Sequence, residues 1–477
     1  MTLPMNKTKI VCTIGPASES LEVMCRLIGA GMNIARLNFS HGDFSAHKQV
    51  IDNLRVASAK TGKRLTIMAD LSGPKMRIGK LALEPVELKQ DDAFTLTTDD
   101  IIGDNTRVSV SFAGLPKAVK AGDTLYLNDG YIELEVTKVH GHDVTCTVKV
   151  GGELRSRKGL NLPGINLGIS AFTERDHECL KFALENGVDA VSQSFVESAR
   201  DIHEVRKAAQ ELGYHPFIIA KIERSNALAN IDEIVEAADG IMIARGDLGV
   251  EVPIERIAVV QKDLMRRANM RAKPVITATQ MLESMTTNKR PTRAEATDVS
   301  NAIINGTDCV MLSGESAMGN YPVESVTMLA KIAAAVEPER RQISLKEMFQ
   351  GIDLTGRMKP EHVIAGSVEA SLEFVTPAAV FVPTRTGATA RSVGRFRLPV
   401  WIIAVSSQEA TCQNLQFSYG VYPVCEKEHP ENWKPYVKEW LQRHNIPGDI
   451  VVLTEGPSIK HPDANHRMEI IDLGSSE

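Results

Sequence analysis

The segment GIMIARGDLGVEV, residues 240–252, decides how the fold of this chain is interpreted. Residues 241–244 are a short apolar run, which is typical of a buried strand. Arg245, Gly246 and Asp247 follow it with two opposite charges around a glycine. From Pro253 onward, apolar residues recur at helical spacing. A buried strand with a polar end and an amphipathic helix behind it is the repeating unit of a parallel α/β fold.

The same unit recurs through the first 340 residues. Apolar strands are predicted at residues 8–15, 33–40, 65–73, 188–195, 217–223, 240–247, 274–280 and 307–315. A helical pattern follows each of these strands except the third. Eight strands that alternate with helices predict a closed (β/α)8 TIM barrel. We assign residues 1–70 and 171–338 to this barrel.

The third strand is the exception, because about a hundred residues separate it from the next helix. This insert, residues 71–170, contains short alternating segments such as DTLYLNDGYIELEVTKV, which predict a small β-barrel lid domain. The insert leaves the barrel in a βα loop, and such loops lie on the catalytic face of TIM barrels. Residues 339–477 again alternate strands with helices and predict a separate C-terminal α/β domain.

The composition is that of an ordinary globular protein, with 43% hydrophobic and 24% charged residues among 477. A net charge of −6 without a long basic run does not favour nucleic-acid binding. Because the seven cysteines are scattered and odd in number, we expect neither disulfides nor a structural zinc site. We find no signal peptide and no apolar run of about 20 residues that could span a membrane. A cytoplasmic protein is therefore expected.

Polar side chains gather where the predicted strands end. Side chains two apart on a strand share a face, and the carboxyl ends of barrel strands meet at one rim. Four predicted strands end in such a set: Arg36, Asn38 and Ser40 in residues 33–40, Lys221 and Glu223 in 217–223, Thr277 and Thr279 in 274–280, and Arg245 and Asp247 in 240–247. The last pair shares a face only if the strand stays regular through Gly246. Asp70 ends the third strand. The rim is therefore predicted to hold both cations and carboxylates.

This mixture of charges suggests phosphate chemistry. Glu223 and Asp247 could hold Mg²⁺ or Mn²⁺, because hard cations take oxygen ligands. Arg36 and Lys221 would face the oxygens of a phosphoryl group, and Gly246 would let an anion approach the backbone. Taken singly, Arg36, Lys221 or Asp247 is better explained by a structural ion pair or a solvated strand end than by a function. The stretch NFSHGD could likewise do no more than cap the helix that follows it.

Long motifs in the chain closely resemble those of the pyruvate kinase family. They lie between residues 7 and 326 and read TKIVCTIGPAS, ARLNFSHG, KGLNLPG, AFTERD, IIAKIER, IMIARGDLGVE, VITATQMLESM, PTRAEATDVSNAI and GTDCVMLSGESAMGNYPVE. The resemblance implies a barrel, a β lid and a C-terminal α/β domain, assembled as a homotetramer. It also implies a reaction that moves the phosphoryl group of phosphoenolpyruvate to ADP, giving ATP and pyruvate as the last step of glycolysis.

The resemblance assigns roles to residues at the rim. Glu223 and Asp247 match the ligands of the divalent metal, Mg²⁺ or Mn²⁺. Lys221 matches the lysine that neutralises the transferring phosphoryl group. Arg36 matches an arginine that contacts phosphates of both the substrate and the nucleotide.

Further residues match the two ends of the family's active site. Thr279 matches a threonine near the enolpyruvate, implicated in protonating it or in placing a water. The backbone of Gly246 and Asp247 resembles the cradle for the substrate carboxylate. His41 and, from the lid, Lys158 match positions on the nucleotide side.

One departure from the family pattern concerns potassium. Asn38, Ser40 and Asp70 match three ligands of a monovalent cation, and the carbonyl of Leu71 would match a fourth. Many family members that need potassium read Lys-Gly-Pro-Glu after this aspartate, but this chain reads DLSGPKMR, with Lys75 where the glutamate would stand. We hypothesise that the ammonium of Lys75 replaces the cation, so that potassium is not required. Alternatively, Lys75 is a solvated hinge residue.

The C-terminal domain contains one candidate site, in VFVPTRTGATARSVGRFR. Thr384, Thr386, Gly387 and Thr389 could offer hydroxyls and N–H groups to a phosphate at a helix start. By resemblance, this region would bind a phosphorylated effector and make the enzyme allosteric. Ordinary helix capping by the threonines explains the pattern equally well.

Two other functions compete with the kinase. The first is a metal-dependent lyase that acts on pyruvate or its enolate, against which the long lid and Lys158 count, since a lyase needs no nucleotide. The second is a regulatory protein that has lost activity. The presence together of Arg36, Lys221, Glu223, Asp247 and Thr279 argues against the second.

Overall fold

Eight short parallel strands close into a barrel in the computed structural model, which describes residues 3–340, 347, 360–428, 430–456 and 466–474. We number these strands β1 to β8 in chain order. Their bounds are Lys9–Thr13, Ile34–Asn38, Thr66–Leu71, Ala190–Gln193, Phe217–Ile222, Gly240–Ala244, Val275–Ala278 and Cys309–Leu312. Each strand pairs with the next, and β1 pairs with β8. The predicted TIM barrel is thus confirmed.

The barrel strands are apolar because both of their faces are covered. One set of side chains, including Val11, Ile34 and Met68, fills the inside of the barrel. The alternating set packs against the surrounding helices. These helices are Leu21–Ala30, Phe44–Thr61, Glu174–Glu185, Ala199–Glu211, Ser225–Ala229, Ile231–Ala237, Arg245–Glu251, Ile257–Met270, Arg293–Asn305, Gly314–Ala317 and Pro322–Val336, with 3-10 turns at Ile254–Arg256, Glu283–Thr286 and Glu337–Glu339. None of the helices in the described ranges is long and apolar enough to cross a membrane.

The ends of two strands differ from the prediction. β6 ends at Ala244, and a helix begins at Arg245, so Arg245 and Asp247 do not share a strand face. β7 ends at Ala278, and Thr279 has a φ of 66°, so it leaves the face that Thr277 occupies. Both predictions were wrong because the chain turns sharply at the rim, where strand periodicity no longer applies.

The inserted lid consists of two β-sheets, whose strands pair antiparallel except for Ala93–Thr97 and Arg107–Ser109, which are parallel. Its six-stranded sheet has the spatial order Leu160–Asn161, Thr124–Leu127, Ile132–His140, Asp143–Val150, Ala93–Thr97 and Arg107–Ser109. A second sheet pairs Val86–Leu88 with Gly152–Leu154, and one short helix spans Leu115–Ala118. The lid has its own apolar core, separate from that of the barrel. It joins the barrel after β3 and rejoins it before β4, and these two strands are neighbours.

The C-terminal domain is a five-stranded sheet with helices. The strand order is Val421–Cys425, Ile402–Ser406, Val380–Pro383, Ile450–Glu455 and Arg467–Asp472. The last strand is antiparallel, and our sequence analysis had not located it. The helices are Pro360–Ser371, Ala388–Gly394, Glu409–Asn414 and Trp433–His444, with a 3-10 turn at Leu415–Phe417.

The C-terminal domain seals the amino-terminal end of the barrel. Phe417 stacks on Phe217, the first residue of β5, with ring centroids 5.2 Å apart. Arg397 donates to Asp308 Oδ2 at 2.7 Å and to Asn269 Oδ1 at 2.6 Å, and all three residues are buried. Both an apolar stack and a buried ion pair therefore join the domain to the barrel.

Candidate active site

Asp70, at the end of β3, is the hub of the charged cluster on the barrel rim. Its Oδ2 accepts hydrogen bonds from Nε of Arg36, at 2.9 Å, and from the same guanidinium's terminal nitrogen. Its Oδ1 accepts from Ser192 Oγ at 2.7 Å and lies 3.4 Å from Lys221 Nζ. Burial opposes ionisation of Asp70, but Lys221 and Arg36 outweigh it and lower the pKa of this carboxyl to about 2. Asp70 is therefore an anion that holds two cations in place.

Lys221 projects from β5 into the same cluster. Its ammonium donates to Ser194 Oγ at 2.5 Å and lies 3.5 Å from Glu223 Oε2. Burial alone would lower the pKa of Lys221, but the carboxylates of Asp70 and Glu223 raise it above its ordinary value. A fully charged ammonium is thus kept out of bulk water at the rim.

Glu223 and Asp247 are the two predicted metal ligands. Glu223 is 3% exposed and accepts from the backbone N–H of Phe195 at 2.7 Å. Burial raises the pKa of Glu223 to about 7. The negative charge of Asp247 adds to this rise, and the positive charge of Lys221 opposes it. A cation bound between these two carboxylates would stabilise the ionised form of Glu223 by offsetting its burial and its repulsion from Asp247. The oxygen donors of Glu223 and Asp247 therefore fit a hard divalent cation, which also takes ligands from substrate phosphates.

The turns after β6 and β7 are locked together. The N–H of Gly246 donates to Thr279 Oγ1 at 2.7 Å, and this hydroxyl donates to the carbonyl of Ala278 at 2.7 Å. Arg245 turns away from the rim, donating to the carbonyl of Thr279 at 2.7 Å and to Asp298 Oδ1 at 2.8 Å. Arg245 thus braces the Thr279 turn, while Asp247 is exposed and its charge acts on both Lys221 and Glu223.

The loop after β2 carries His41. Its carbonyl accepts from His47 Nε2 at 2.8 Å, and the ring of His47 stacks on Phe39 with centroids 4.3 Å apart. Partial burial, with Lys75 and other nearby cations, lowers the pKa of His41. The helix that follows is capped by Asp43, whose Oδ1 accepts from the N–H of Ala46 at 2.8 Å.

Lys158 lies on the lid, next to Ile78 in the segment that enters the lid after β3. Its carbonyl accepts from Ile78 N at 3.0 Å. Its half-buried side chain makes no hydrogen bond or ion pair within the ranges that the structure describes. The structure therefore does not bring Lys158 into contact with the rim cluster.

The four groups that match a monovalent-cation pocket all have internal partners. Asn38 Oδ1 accepts from the N–H of Ser40 at 3.2 Å, and Ser40 Oγ lies 2.8 Å from Ser72 Oγ. The carbonyl of Leu71 accepts from Ser194 Oγ at 2.7 Å, and the fourth group, the carboxylate of Asp70, is the hub described above.

Lys75 is electrostatically part of the same cluster. Partial burial and the charge of Lys221 lower the pKa of Lys75, while Asp70 and Glu223 oppose that change. The side chain of Lys75 is exposed and makes no hydrogen bond or ion pair within the described residues, so it lies in the field of these carboxylates without contacting them.

Several hydroxyls at the rim were missed by the sequence analysis. Thr13 Oγ1 accepts from Arg36 at 2.8 Å and donates to the carbonyl of Leu312 at 3.0 Å. Ser192 and Ser194 contact Asp70 and Lys221. The only signal for them is the pair of serines in SQSF, residues 192–195, at the end of an otherwise apolar strand.

The candidate effector turn in the C-terminal domain has its hydroxyls engaged. Thr384 Oγ1 accepts from the N–H of Gly387 at 2.9 Å, and Thr386 Oγ1 accepts from that of Ala388 at 3.4 Å. Gly387 has a φ of 81° and precedes the helix Ala388–Gly394, in which Thr389 is half-buried. The hydroxyls of Thr384 and Thr386 therefore bond N–H groups of this turn, while Gly387, at the N-cap position, offers no side chain to cap the helix.

Comparison with known proteins gives consistent matches over nearly the whole chain. The family models described as pyruvate kinase, barrel domain, and pyruvate kinase, alpha/beta domain, match residues 5–326 and 361–471. A pyruvate kinase from Thermococcus litoralis is 50% identical over 475 residues, which cover 99% of this chain and 100% of the relative. One from Geobacillus stearothermophilus is 40% identical over 475 residues, 97% of this chain and 80% of the relative.

A solved structure supports the same conclusion. The crystal structure of a pyruvate kinase from Cryptosporidium parvum has a TM-score of 0.89 and 34% identity, covering 98% of this chain and 96% of the other. Neither the lyase nor the non-catalytic alternative is needed to explain these matches. With both family models matched in order and the relative from Thermococcus litoralis matched over its whole length, the chain belongs to the pyruvate kinase family of phosphotransferases.

Proposed function

We propose that this chain transfers the phosphoryl group of phosphoenolpyruvate to ADP, giving ATP and pyruvate. The observation that carries this proposal is the convergence of Arg36, Asp70, Lys221 and Glu223 within hydrogen-bonding or ion-pair distance at one barrel rim. Phosphoryl transfer needs alignment and charge neutralisation more than covalent catalysis, and this cluster supplies both.

In this scheme the two cations act on the transferring group. Lys221 neutralises charge on the phosphoryl oxygens, and Arg36, held by Asp70 and Thr13, binds phosphates of substrate and nucleotide. Mg²⁺ or Mn²⁺ bound to Glu223 and Asp247 would supply further neutralisation of substrate oxygens. Because burial leaves Glu223 with a pKa near 7, binding of the metal depends on its deprotonation.

The turns after β6 and β7 would bind the enolpyruvate end of the substrate. The N–H groups of Gly246 and Asp247 would receive the substrate carboxylate at the start of their helix. Substrate binding would replace the bond from Gly246 to Thr279 Oγ1, which frees this hydroxyl to act near the enolate carbon.

The nucleotide would bind between the rim and the lid, beside His41 and Lys158. Closure of the lid would bring Lys158 towards the nucleotide and exclude water, which otherwise competes for the phosphoryl group. The division that we propose is residues 1–70 and 171–338 for the barrel, 71–170 for the lid and 339–477 for the C-terminal domain.

We further propose that the enzyme does not require potassium. Internal partners of Asn38, Ser40, Asp70 and the Leu71 carbonyl support this idea, as does the electrostatic coupling of Lys75 to Asp70. The test is turnover with Mg²⁺ in potassium-free buffer, compared with Lys75→Glu. We expect the parent to be equally fast with and without potassium, and Lys75→Glu to need it. A parent that turns over only after potassium is added would refute the role of Lys75.

We also propose that the enzyme is regulated by a phosphorylated effector and assembles as a homotetramer. A phosphorylated effector at Thr384, Thr386, Gly387 and Thr389 would take over N–H groups that the threonine hydroxyls now cap. A homotetramer is the expected assembly. Sugar phosphates added to a kinetic assay test the first, and sedimentation equilibrium tests the second.

The decisive experiment for the activity is pyruvate formation from phosphoenolpyruvate and ADP with Mg²⁺. Formation of equal amounts of ATP and pyruvate is the expected result. Cleavage or condensation of pyruvate without any need for ADP would indicate the lyase. No reaction with Mg²⁺, potassium and sugar phosphates all present would favour the non-catalytic protein.

A further inference from the structure

The hydroxyl of Ser194 makes the shortest polar contact of Lys221 within the described residues. Ser194 Oγ lies 2.5 Å from Lys221 Nζ, whereas the oxygens of Asp70 and Glu223 lie 3.4 to 3.5 Å away. The carboxylate distances exceed the ordinary hydrogen-bond range of about 2.7 to 3.2 Å. The neutral hydroxyl of Ser194 therefore sets the direction of the ammonium, while the more distant carboxylates of Asp70 and Glu223 balance its charge.

The polarity of this contact is fixed by a second hydrogen bond. The single proton of Ser194 Oγ goes to the carbonyl of Leu71 at 2.7 Å, which leaves its lone pairs for Lys221. Ser194 is only 1% exposed, so water does not compete for either bond. Because a hydroxyl anchors the ammonium without neutralising it, the full positive charge stays available to an incoming phosphoryl group.

The same hydroxyl reaches the junction between barrel and lid. Leu71 is the last residue of β3, and the chain enters the lid directly after it. On the returning side, Gln193 Nε2 donates to the carbonyl of Ala171 at 2.7 Å and to that of Ser194 at 3.0 Å. Both passages of the chain between barrel and lid therefore contact the segment that carries Ser194.

We propose that Ser194 is a positioning residue, whose hydroxyl aims Lys221 at the phosphoryl group and ties it to the lid junction at Leu71. The inference rests on the role proposed above for Lys221. Without the hydroxyl, the ammonium would swing toward the carboxylates of Asp70 and Glu223. The charge that develops in the transition state would then lose its partner, while substrate binding by Arg36 and the metal ligands would persist.

The test compares Ser194→Ala with Ser194→Thr in the pyruvate-forming assay with Mg²⁺. We expect kcat of Ser194→Ala to fall by at least about 10-fold while KM for phosphoenolpyruvate changes by less than about 3-fold, since a misaimed group acts on the transition state. Ser194→Thr keeps the hydroxyl and should recover most of kcat. Thr277→Val is the matched control: it removes another buried hydroxyl, which bonds Thr307 Oγ1 at 2.8 Å.

The possible outcomes distinguish the positioning role of Ser194 from the proposed role of Lys221. Full kcat in Ser194→Ala, equal losses in the alanine and threonine variants, or the same loss in Thr277→Val would each overturn the positioning role. Lys221→Met, run in parallel, tests the underlying function, because turnover in that variant would remove the role of Lys221 itself. If Ser194→Ala does not fold, Ser194→Cys replaces it as a near-isosteric variant with a weak hydrogen-bonding group and the same expected loss.

Discussion

At the scale of single residues, the charged part of the site was largely predictable and the neutral part was not. Arg36, Lys221 and Glu223 follow from residue types and spacing at strand ends, because parallel strands bring those ends to one rim. Ser194 and Thr13 did not follow, since serine and threonine occur in every environment and a hydroxyl leaves no charge pattern in the sequence.

Lys221→Met should abolish turnover while leaving a folded protein. Methionine keeps much of the stem volume but removes the charge that faces the phosphoryl group, and loss of one such group costs roughly 10²- to 10³-fold or more in kcat. Turnover and circular dichroism are the measurements. Lys207→Met, at a surface lysine of which 78% of the side chain is exposed, is the matched control. Normal activity of Lys221→Met would contradict its assigned role.

Lys9 gives a pH-dependent contribution to stability. Burial lowers its pKa from 10.5 to about 8, although Cys309, Glu337 and Asp308 oppose this shift. Between these two values the unfolded chain binds more protons than the folded one, so the free energy of unfolding rises with pH. The amplitude is on the order of 3 kcal/mol.

The measurement is denaturant unfolding between pH 7 and 10 for the parent and Lys9→Met. The difference in unfolding free energy between the two proteins should change in favour of the parent as the pH rises through that window. The Nζ of Lys9 donates to the carbonyl of Val421 at 2.7 Å, so the comparison reports on the junction with the C-terminal domain. A difference that does not depend on pH would show that Lys9 titrates normally.

At the scale of elements, the number and order of the eight barrel strands could be predicted, but not where they end or that Arg467–Asp472 adds a strand to the C-terminal sheet. The apolar run before Arg245 gives the strand, because burial selects those side chains. Whether RGD continues the strand or starts a helix depends on the carbonyls of Ala278 and Thr279 at the end of β7, which Arg245 reaches although they lie 33 and 34 residues away in sequence. The local hydrophobic periodicity of the sequence does not predict a contact between residues so far apart.

The first turn of the lid junction depends on Gly73. Its φ is 63°, and a Cβ there would lie 2.8 Å from Phe195 Cδ2 and 3.2 Å from the carbonyl of Ser194. Gly73→Ala should therefore cost at least about 1–2 kcal/mol of stability from the left-handed backbone alone, and lower kcat by disturbing the Leu71 end of the lid.

Thermal unfolding and steady-state kinetics test this expectation. Gly29→Ala is the control, since Gly29 lies in the helix Leu21–Ala30 with nothing within 4 Å of the added carbon. That substitution should be neutral or stabilising. Equal behaviour of the two variants would mean that the junction is not constrained.

At the scale of the whole molecule, the three-part plan was visible in the sequence, but the contacts between the parts were not. The lid was evident from the break in the alternation of strands and helices. The stack of Phe417 on Phe217 and the ion pair of Arg397 with Asp308 join residues 200 and 89 positions apart, without any local pattern. Such contacts are decided by shape and burial, which a single sequence does not display.

Arg397→Met should loosen the C-terminal domain from the barrel. It leaves the buried carboxylate of Asp308 without its guanidinium, and breaking a buried pair in this way costs roughly 3–5 kcal/mol. We expect a lower unfolding temperature and faster proteolysis between the barrel and the C-terminal domain. Arg467→Met, which removes an exposed arginine from Glu455, should change neither. An unchanged unfolding temperature in Arg397→Met would refute this account of the junction.

The pairing of β1 with β8 has a consequence for how the protein is made. β8 ends at Leu312, so roughly 300 residues must follow β1 out of the ribosome before its outer edge finds a partner. At about 5–20 residues per second this takes roughly 15 to 60 seconds. The lid can complete its own sheets within that interval, since all of its strands lie between β3 and β4. The nascent barrel, by contrast, displays an open and apolar strand edge throughout, which is a template for aggregation. We therefore expect synthesis of this chain to depend on chaperones that shield β1 until β8 arrives.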